Sequence, residues 1–561
     1  MKSRDQVDIC VIGSGAGGSV ATYALAMAGF SVVVLEAGPR FDPAHYPLNQ
    51  KDWEAQPSAF HVPPKEGKKH LYTHGETEAL DPSLSHLRSW TKALGPLHSS
   101  PTRMPPRIQR VKGVGGSTLH YQGEAHRFSP HGFQSQSQYG YGEDWPLTHK
   151  DLEPYYEKIE QWLGVAGDPR NPFKASRGPF PMTPHKLSCA SQRVKKGFDK
   201  LGLHLSPNSL AILSQPLEDR PPCNYCNGCS LGCMMRAKSS MDVSLIPKAE
   251  ATGRVTLIPN VHAHRITLNA QGKASGVLYF DHEKQEHRQR AKVVVVAAGA
   301  LETPRLLLNS ISKEYPEGLG NRHDVVGRYC METIFQNSIA LFSEPIHSYK
   351  GLQIDSRAWD FNAPSPGQTF QGGVVLGVSA GNFLGPFAYA QFVAPGWGKS
   401  HKDFMRTSFG NAINIFGIGE HLPHPDNRIT LDPEVMDFYG VPVAKLVTTL
   451  KKNEREMLGF MARQTKAIAE AAGAKEIIGQ ESAYDLSAIS HMGGTCRMGQ
   501  DPRRSVVNQF CQTHDIANVF VMDNSSFVTQ GGGDSPSLTI QALALRAADY
   551  LMDEAKKGGL T

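Results

Sequence analysis

The sequence lacks any apolar run long enough to cross a bilayer. Its longest candidates, Val293 to Ala298 and the region from Ala21 to Val34, are short or broken by Gly and Ser, whereas a spanning helix needs about 20 apolar residues. No direct membrane span is expected. The opening Met-Lys-Ser-Arg-Asp-Gln-Val-Asp carries neither an apolar signal core nor a twin-arginine pair, which points to the cytoplasm. The alternative is a folded passenger carried to the periplasmic face of the inner membrane by a partner subunit that holds the signal. Charge of one sign is also scarce: 58 Lys+Arg against 53 Asp+Glu leave +5 over 561 residues, with no dense basic run, so nucleic acid is not an expected partner. Internal repeats and low-complexity tracts are missing too. The nine Cys are too unevenly spread for a disulfide framework, because Cys223, Cys226, Cys229 and Cys233 crowd into one loop. Cys10, Cys189, Cys330, Cys496 and Cys511 lie singly and read as core thiols. A chain of this length with 40% hydrophobic residues can bury a large core and is expected to hold more than one domain.

What is present begins with a strand running straight into a helix. Asp8 to Gly13 is a short apolar run suited to a buried parallel strand, and Ser14 to Gly29 places Ala, Leu and Met at helical spacing. Between them Gly13, Gly15 and Gly18 form G-x-G-x-x-G: the first permits the tight turn, the second lets backbone approach a pyrophosphate, and the third lets helix pack on strand. A second strand, Phe30 to Leu35, ends in Glu36, placed to accept from adenosine ribose hydroxyls and to disfavour a 2′-phosphate. This is a dinucleotide site, open at this point between FAD and NAD.

Three distant segments decide between them by resemblance. Lys-Gly-Val-Gly-Gly-Ser-Thr-Leu-His-Tyr (112–121), Val-Val-Val-Val-Ala-Ala-Gly-Ala-Leu-Glu-Thr-Pro-Arg (293–305), and 491–499 followed by 519–546 resemble the glucose-methanol-choline (GMC) oxidoreductases, in the family's order and over almost the whole chain. The resemblance implies FAD, bound by a Rossmann-type domain, and a discontinuous antiparallel-sheet substrate domain, α/β in class and α+β overall. Residues 1–330 are expected to be mainly FAD-binding, with an excursion over 41–106 and a Cys-rich loop over 221–240. Residues 331–488 are expected to be mainly the substrate domain, and 489–561 to return to the first. By position in the family's motifs, Gly116 and Ser117 would run over the isoalloxazine, Ala298 and Gly299 would let the dinucleotide approach, and Asp523 and Asn524 would contact its ribityl and pyrophosphate portion.

In the family, hydride passes from an alcohol carbon to the flavin while a histidine takes the hydroxyl proton. His491, in Ser-His-Met-Gly-Gly-Thr-Cys-Arg-Met-Gly, occupies that place, and an imidazole suits it because its ordinary pKa lies near operating pH. The usual second His or Asn is replaced by Ser535 in Asp-Ser-Pro-Ser-Leu-Thr-Ile. A hydroxyl is a poor base, so His491 would act alone while Ser535 or Asp534 orients substrate or imidazole. Alternatively Ser535 merely caps the helix starting near Pro536. His120 is a second departure, since most members carry Asn near this place. Ser-Thr-Leu-His-Tyr resembles the pyranose-oxidase segment whose His is bonded to the flavin, so His120 either bonds the flavin covalently or lines it.

Cys223, Cys226, Cys229 and Cys233 follow C-x2-C-x2-C-x3-C, a spacing that can wrap an iron–sulfur cluster, [3Fe–4S] or [4Fe–4S]. Zinc more often draws on separated knuckles, and a metal-free loop is the third reading. The loop and its flanks resemble the FAD large subunits of membrane-associated glucose, gluconate, fructose and glucoside 3-dehydrogenases. That resemblance implies a cluster passing electrons to a cytochrome or quinone, together with a small chaperone-like subunit and a cytochrome c subunit. A cluster-free alcohol or sterol oxidase using oxygen is the alternative.

On the substrate side, strands are expected over Phe370 to Ser379, Phe383 to Ala394 and Asn411 to Gly419, and one amphipathic helix over Lys451 to Ala472. Trp359, Phe361, Phe383, Phe387, Tyr389, Trp397 and Phe416 could line a sugar site or an apolar one, though strand aromatics more often fill core. The preference for a sugar, glycoside or polyol comes from the cysteine-loop resemblance.

Overall fold

The computed structural model describes residues 6–46, 73–380, 386, 389–390 and 394–558. Five parallel strands lie side by side in the order Val255–Ile258, Val32–Leu35, Gln6–Ile12, Glu286–Val296, Val519–Val521. In chain order this is third, second, first, fourth, fifth, the arrangement of a doubly wound dinucleotide sheet. Their Val and Ile runs are unbroken because both faces are covered. On one face the helix Ala16–Met27 packs against the C-terminal helix Ser537–Lys556. On the side away from Gln6–Ile12 the long strand Glu286–Val296 serves two partners: its first residues pair antiparallel with Ala274–Phe280 and its last three pair parallel with Val519–Val521.

The second body is an eight-stranded sheet centred on Ile334–Leu341, which lies antiparallel between Glu476–Ser482 and Ala412–Gly419. Val374–Ala380 and Ser356–Phe361 extend it. Its edges come from elsewhere in the chain, Ser206–Pro207 on one side and Trp90–Thr91 with Gly95–Pro96 on the other. Helix Lys452–Ala471 lies on this sheet beside Cys189–Lys200. It comes close because Gly417 and Gly419, on one face of their strand, leave room: a Cβ would meet the sulfurs of Met461 and Met457 at 2.6 and 2.2 Å.

The helix expected over Lys451 to Ala472 is therefore found nearly whole, and the strand expected from Asn411 starts at Ala412. The strand expected from Phe370 starts only at Val374, after the paired glycines 372 and 373. Most of Phe383 to Ala394, including Phe383 and Phe387, lies outside the described residues, as do 47–72 of the excursion. Cys189 corrects its expectation: it opens a helix and is exposed, whereas Cys10, Cys330, Cys496 and Cys511 are buried. Trp397 is no lining residue at 88% exposure, while Trp359 and Phe416 are buried. Among the described residues no helix is long and apolar enough to cross a membrane.

Candidate active site

The glycine turn is built by close approach. Gly13 holds φ +95°, and a Cβ there would lie 2.5 Å from the Ala297 carbonyl oxygen; one on Gly18 would lie 2.0 Å from that of Gly13. Gly18 therefore seats the helix on its strand, as its spacing implies. The helix begins at Ala16 after Gly15 with no side-chain cap, so its first amides are left for an anion. Ser14 joins this turn to the second glycine loop: its hydroxyl donates to Glu36 Oε2 (2.7 Å) and accepts from the Gly115 amide (3.1 Å). Glu36 also accepts from the Ser14 amide at Oε2 and the Gly38 amide at Oε1. Burial raises its pKa against those bonds. A Cβ on Gly116, at φ +55°, would lie 2.8 Å from Gly15 Cα, so the two loops touch.

A third wall comes from the ends of two parallel strands. Asp523 Oδ2 accepts from the Gly299 amide (2.8 Å) and the Thr303 hydroxyl (2.6 Å), and Asn524 Oδ1 accepts from the Ala300 amide (3.2 Å). Asp523 and Asn524 thus satisfy the first turn of helix Gly299–Asn309, which carries no side-chain cap of its own. These walls enclose a cavity of 740 Å³. Gly13, Gly15, Glu36, Gly116, Ser117, His120, Ala298, Gly299, Asp523, Asn524, His491 and Ser535 all line it; Gly18 and Asp534 do not.

His491 is held by its backbone, its amide donating to Thr333 Oγ1 (2.9 Å) and its carbonyl accepting from Gln530 Nε2 (2.7 Å). Its ring nitrogens bond no described residue, and burial lowers its pKa to about 4, so it stands neutral with a lone pair free. His120 is likewise lowered to about 4, by burial and then by the Lys238 ammonium.

Ser535 does not cap the following helix, which begins at Ser537 without a side-chain cap. Its hydroxyl donates to Glu124 Oε2 (3.0 Å), and its amide donates to His126 Nδ1 (3.1 Å). Glu124 lines the cavity as well and pairs in fork geometry with Arg357, at 2.7 Å on both oxygens. Burial would raise this carboxyl, but Arg357 outweighs it and holds Glu124 far below the usual carboxylate range. Asp534 turns away: Lys174 Nζ (2.7 Å) and Trp359 Nε1 (2.8 Å) donate to its two oxygens.

The four loop cysteines sit beside this site. The Tyr225 amide donates to Cys223 Sγ (3.3 Å) and the Lys238 amide to Cys233 Sγ (3.4 Å), while Tyr225 and Asn227 both hold φ of 59°. The Lys238 ammonium, fully buried, donates to the carbonyls of Leu119 (2.8 Å), Tyr121 (2.8 Å) and Cys229 (2.6 Å). It therefore fastens the loop to the segment carrying His120. Among the described residues no three of the four sulfurs come within 4.8 Å of one another.

Residues 107–329 and 423–544 match the GMC oxidoreductase family, and 11–66 match an NAD(P)-binding Rossmann-like domain. The chain is 32% identical to a 2-methyl-1,2-propanediol dehydrogenase of Mycolicibacterium austroafricanum, over 98% of this chain and 96% of that one. It is 29% identical to the fructose dehydrogenase large subunit of Gluconobacter japonicus, over 98% of each. Among solved structures, pyridoxine 4-oxidase from Mesorbium loti superposes with a TM-score of 0.63 at 18% identity, covering 97% of this chain and 98% of that one, a likeness of fold. The chain belongs to the GMC oxidoreductase family.

As a GMC oxidoreductase it uses FAD and acts on CH–OH groups, and the cavity suits that cofactor. Uncapped helix amides would meet its pyrophosphate, the Glu36 carboxylate lines the cavity where it could take a ribose hydroxyl, and glycine contacts leave no space for side chains between the loops. Sequence reasoning missed Ser14, Glu124, Arg357 and Lys238. Glu124 could have been suspected from lying four residues after His120, but its partner Arg357 carries no local signal.

Proposed function

We propose that this GMC oxidoreductase is a dehydrogenase oxidising a hydroxyl of a sugar, glycoside or polyol, with electrons leaving through an iron–sulfur centre in the cysteine loop to a cytochrome or quinone. FAD, when bound, supplies the hydride acceptor. His491, neutral and unbonded in the cavity wall, takes the hydroxyl proton on a ring nitrogen as the C–H bond gives up its electron pair. Ser535 does not compete as a base, because a neutral hydroxyl is only weakly basic.

The observation that carries the electron route is the Lys238 clamp, which ties Cys229 and the His120 segment to one nitrogen. Two sulfurs accept backbone amides, and loop residues alternate into positive φ, a backbone that gathers N–H groups around an anionic cluster. Four thiolates about 2.3 Å from one zinc would all lie about 3.8 Å from one another, and no three of these sulfurs gather even within 4.8 Å among the described residues, whereas a cluster spreads its ligands over several irons. Cys223, Cys226, Cys229 and Cys233 would hold the centre, which supplies a one-electron outlet. The fructose dehydrogenase relative is by name a large subunit, which supports partner subunits for this chain; the cysteine-loop resemblance makes these a small chaperone-like subunit and a cytochrome c subunit.

Anaerobically purified protein tests this by its ultraviolet–visible spectrum with iron and acid-labile sulfide assays, before and after a panel of sugars and alcohols. Flavin peaks over a broad background, bleached by a sugar, are expected. A plain flavin spectrum without iron, with hydrogen peroxide formed on turnover, would replace this reading by a cluster-free oxidase.

Lys238→Met is expected to leave three buried carbonyls without a donor, at about 1–3 kcal/mol for each unsatisfied group. The melting temperature and the flavin content should fall together. Wild-type flavin content in the variant would show that the clamp does not support the cofactor wall.

A further inference from the structure

We infer that Ser535 accepts a hydrogen bond from a second hydroxyl, on the carbon next to the one oxidised, so that the site selects vicinal diols. The inference rests on the cavity being the alcohol-oxidising site proposed above.

The argument is a count of donors and acceptors. A carboxylate has about four acceptor positions, and Glu124 uses four: Oε1 takes Asn208 Nδ2 (2.8 Å) and Arg357 Nε (2.7 Å), while Oε2 takes the second arm of Arg357 (2.7 Å) and the Ser535 hydroxyl (3.0 Å). Glu124 is thus saturated and, with Arg357 against it, stays anionic. It presents nothing to a ligand, but it fixes the only proton Ser535 has. The Ser535 backbone cannot swing away either, because its amide is engaged by His126, whose other nitrogen bonds Asn208 Oδ1 (2.7 Å). What Ser535 Oγ has left is two lone pairs on the cavity wall. His491 lines the same cavity and feels the charge of Glu124, the carboxylate that Ser535 bonds, and it also offers a lone pair. This end of the cavity therefore holds two acceptors, the serine oxygen and the unprotonated nitrogen of the neutral imidazole, and the serine cannot donate without giving up Glu124. A mono-alcohol brings one O–H, which His491 needs. A vicinal diol brings two, one for His491 and one for Ser535, and a sugar or polyol is a chain of such pairs. A site built to bond a substrate hydroxyl rejects the analogue lacking it strongly, because its buried polar group is then unpaired.

Glu124 and Arg357 are positioning residues here, and Ser535 is the one that reads the substrate. The test uses the holoenzyme and anaerobic flavin reduction with two matched pairs, 1,2-propanediol against 1-propanol and 1,2-cyclohexanediol against cyclohexanol, each differing only in the neighbouring hydroxyl. In the wild type the diol member should be favoured in kcat/KM by on the order of 100-fold. In Ser535→Ala that ratio should collapse to within about threefold, while Ser535→Thr, which keeps an acceptor oxygen, should restore most of it. A wild-type ratio near one, or an unchanged ratio in Ser535→Ala, overturns the inference and leaves the alcohol-oxidising reading standing. Failure of every member of the panel to reduce the flavin overturns that reading and the inference together.

Discussion

His491→Asn is expected to slow anaerobic flavin reduction by about 10²–10⁴-fold, the usual worth of a positioned general base, equivalent to about 3–5 kcal/mol of activation free energy. The flavin content should not change, because the ring of His491 bonds no described residue and only its backbone supports the wall. Nothing nearby can take over: Glu124 is held anionic but far too weakly basic by Arg357, and Ser535 has no proton-accepting strength. The pH dependence carries the same message. Burial lowers His491 to about 4, so the lone pair is available above that value and lost below it. Wild-type kcat/KM should therefore hold flat through pH 6 and 5 and fall only as the pH drops through about 4. An ordinary histidine would lose activity near 6.5. The linked stability effect has the same direction: between about 6.5 and 4 the unfolded chain binds a proton here that the folded chain does not, so acidification through that window favours unfolding. A variant with wild-type reduction rate, or a profile that breaks near 6.5, would remove His491 from the role of base.

Gly18→Ala is expected to abolish flavin retention. The new methyl would sit 2.0 Å from the Gly13 carbonyl oxygen and 3.2 Å from Ala297 Cβ, and neither neighbour can yield. Gly13 is itself pinned, with its own missing Cβ only 2.5 Å from Ala297 O. Helix Ala16–Met27 must then lift from its strand, at about 1–3 kcal/mol for overpacking, and its first-turn amides lose their aim at the pyrophosphate. Visible absorbance relative to protein absorbance should fall at least about tenfold, because the cofactor meets several amides of that turn at once. Full occupancy in a folded variant would mean that the turn is not what grips the dinucleotide.

How far such a site can be read from sequence depends on the range over which its parts cooperate. Gly13, Gly15, Gly18 and Glu36 were legible because turn, helix packing and strand end are decided within one βαβ unit. His491, Gly116 and Asp523 carried motif context, and the fold brings them to one cavity. Asp534 and Ser535 show the opposite case. Adjacent in sequence, they face different partners: Lys174 and Trp359 draw Asp534 into the protein, while Glu124 holds Ser535 at the cavity. No local pattern announces either outcome, since Arg357 and Lys174 come from distant segments. The antiparallel sheet was legible at Val374–Ala380 and Ala412–Gly419, whose runs are largely apolar, but not at its centre, where Ile334–Leu341 and Glu476–Ser482 interleave polar residues, nor at its edges, where two-residue strands such as Ser206–Pro207 and Trp90–Thr91 are too short to leave a pattern.

The strand Glu286–Val296 has a bearing on how the protein is made. Its last residues find their parallel neighbour, Val519–Val521, only after the whole antiparallel-sheet portion has been synthesised, and Asp523, Asn524 and Ser535 follow that neighbour directly. On the ribosome the nascent chain thus carries an open sheet edge and a cofactor wall missing one side from the completion of Glu286–Val296 until Val519–Val521 is made. Flavin loading is consequently an event of the finished chain, and the interval before it is when the exposed edge most needs protection from pairing with another copy.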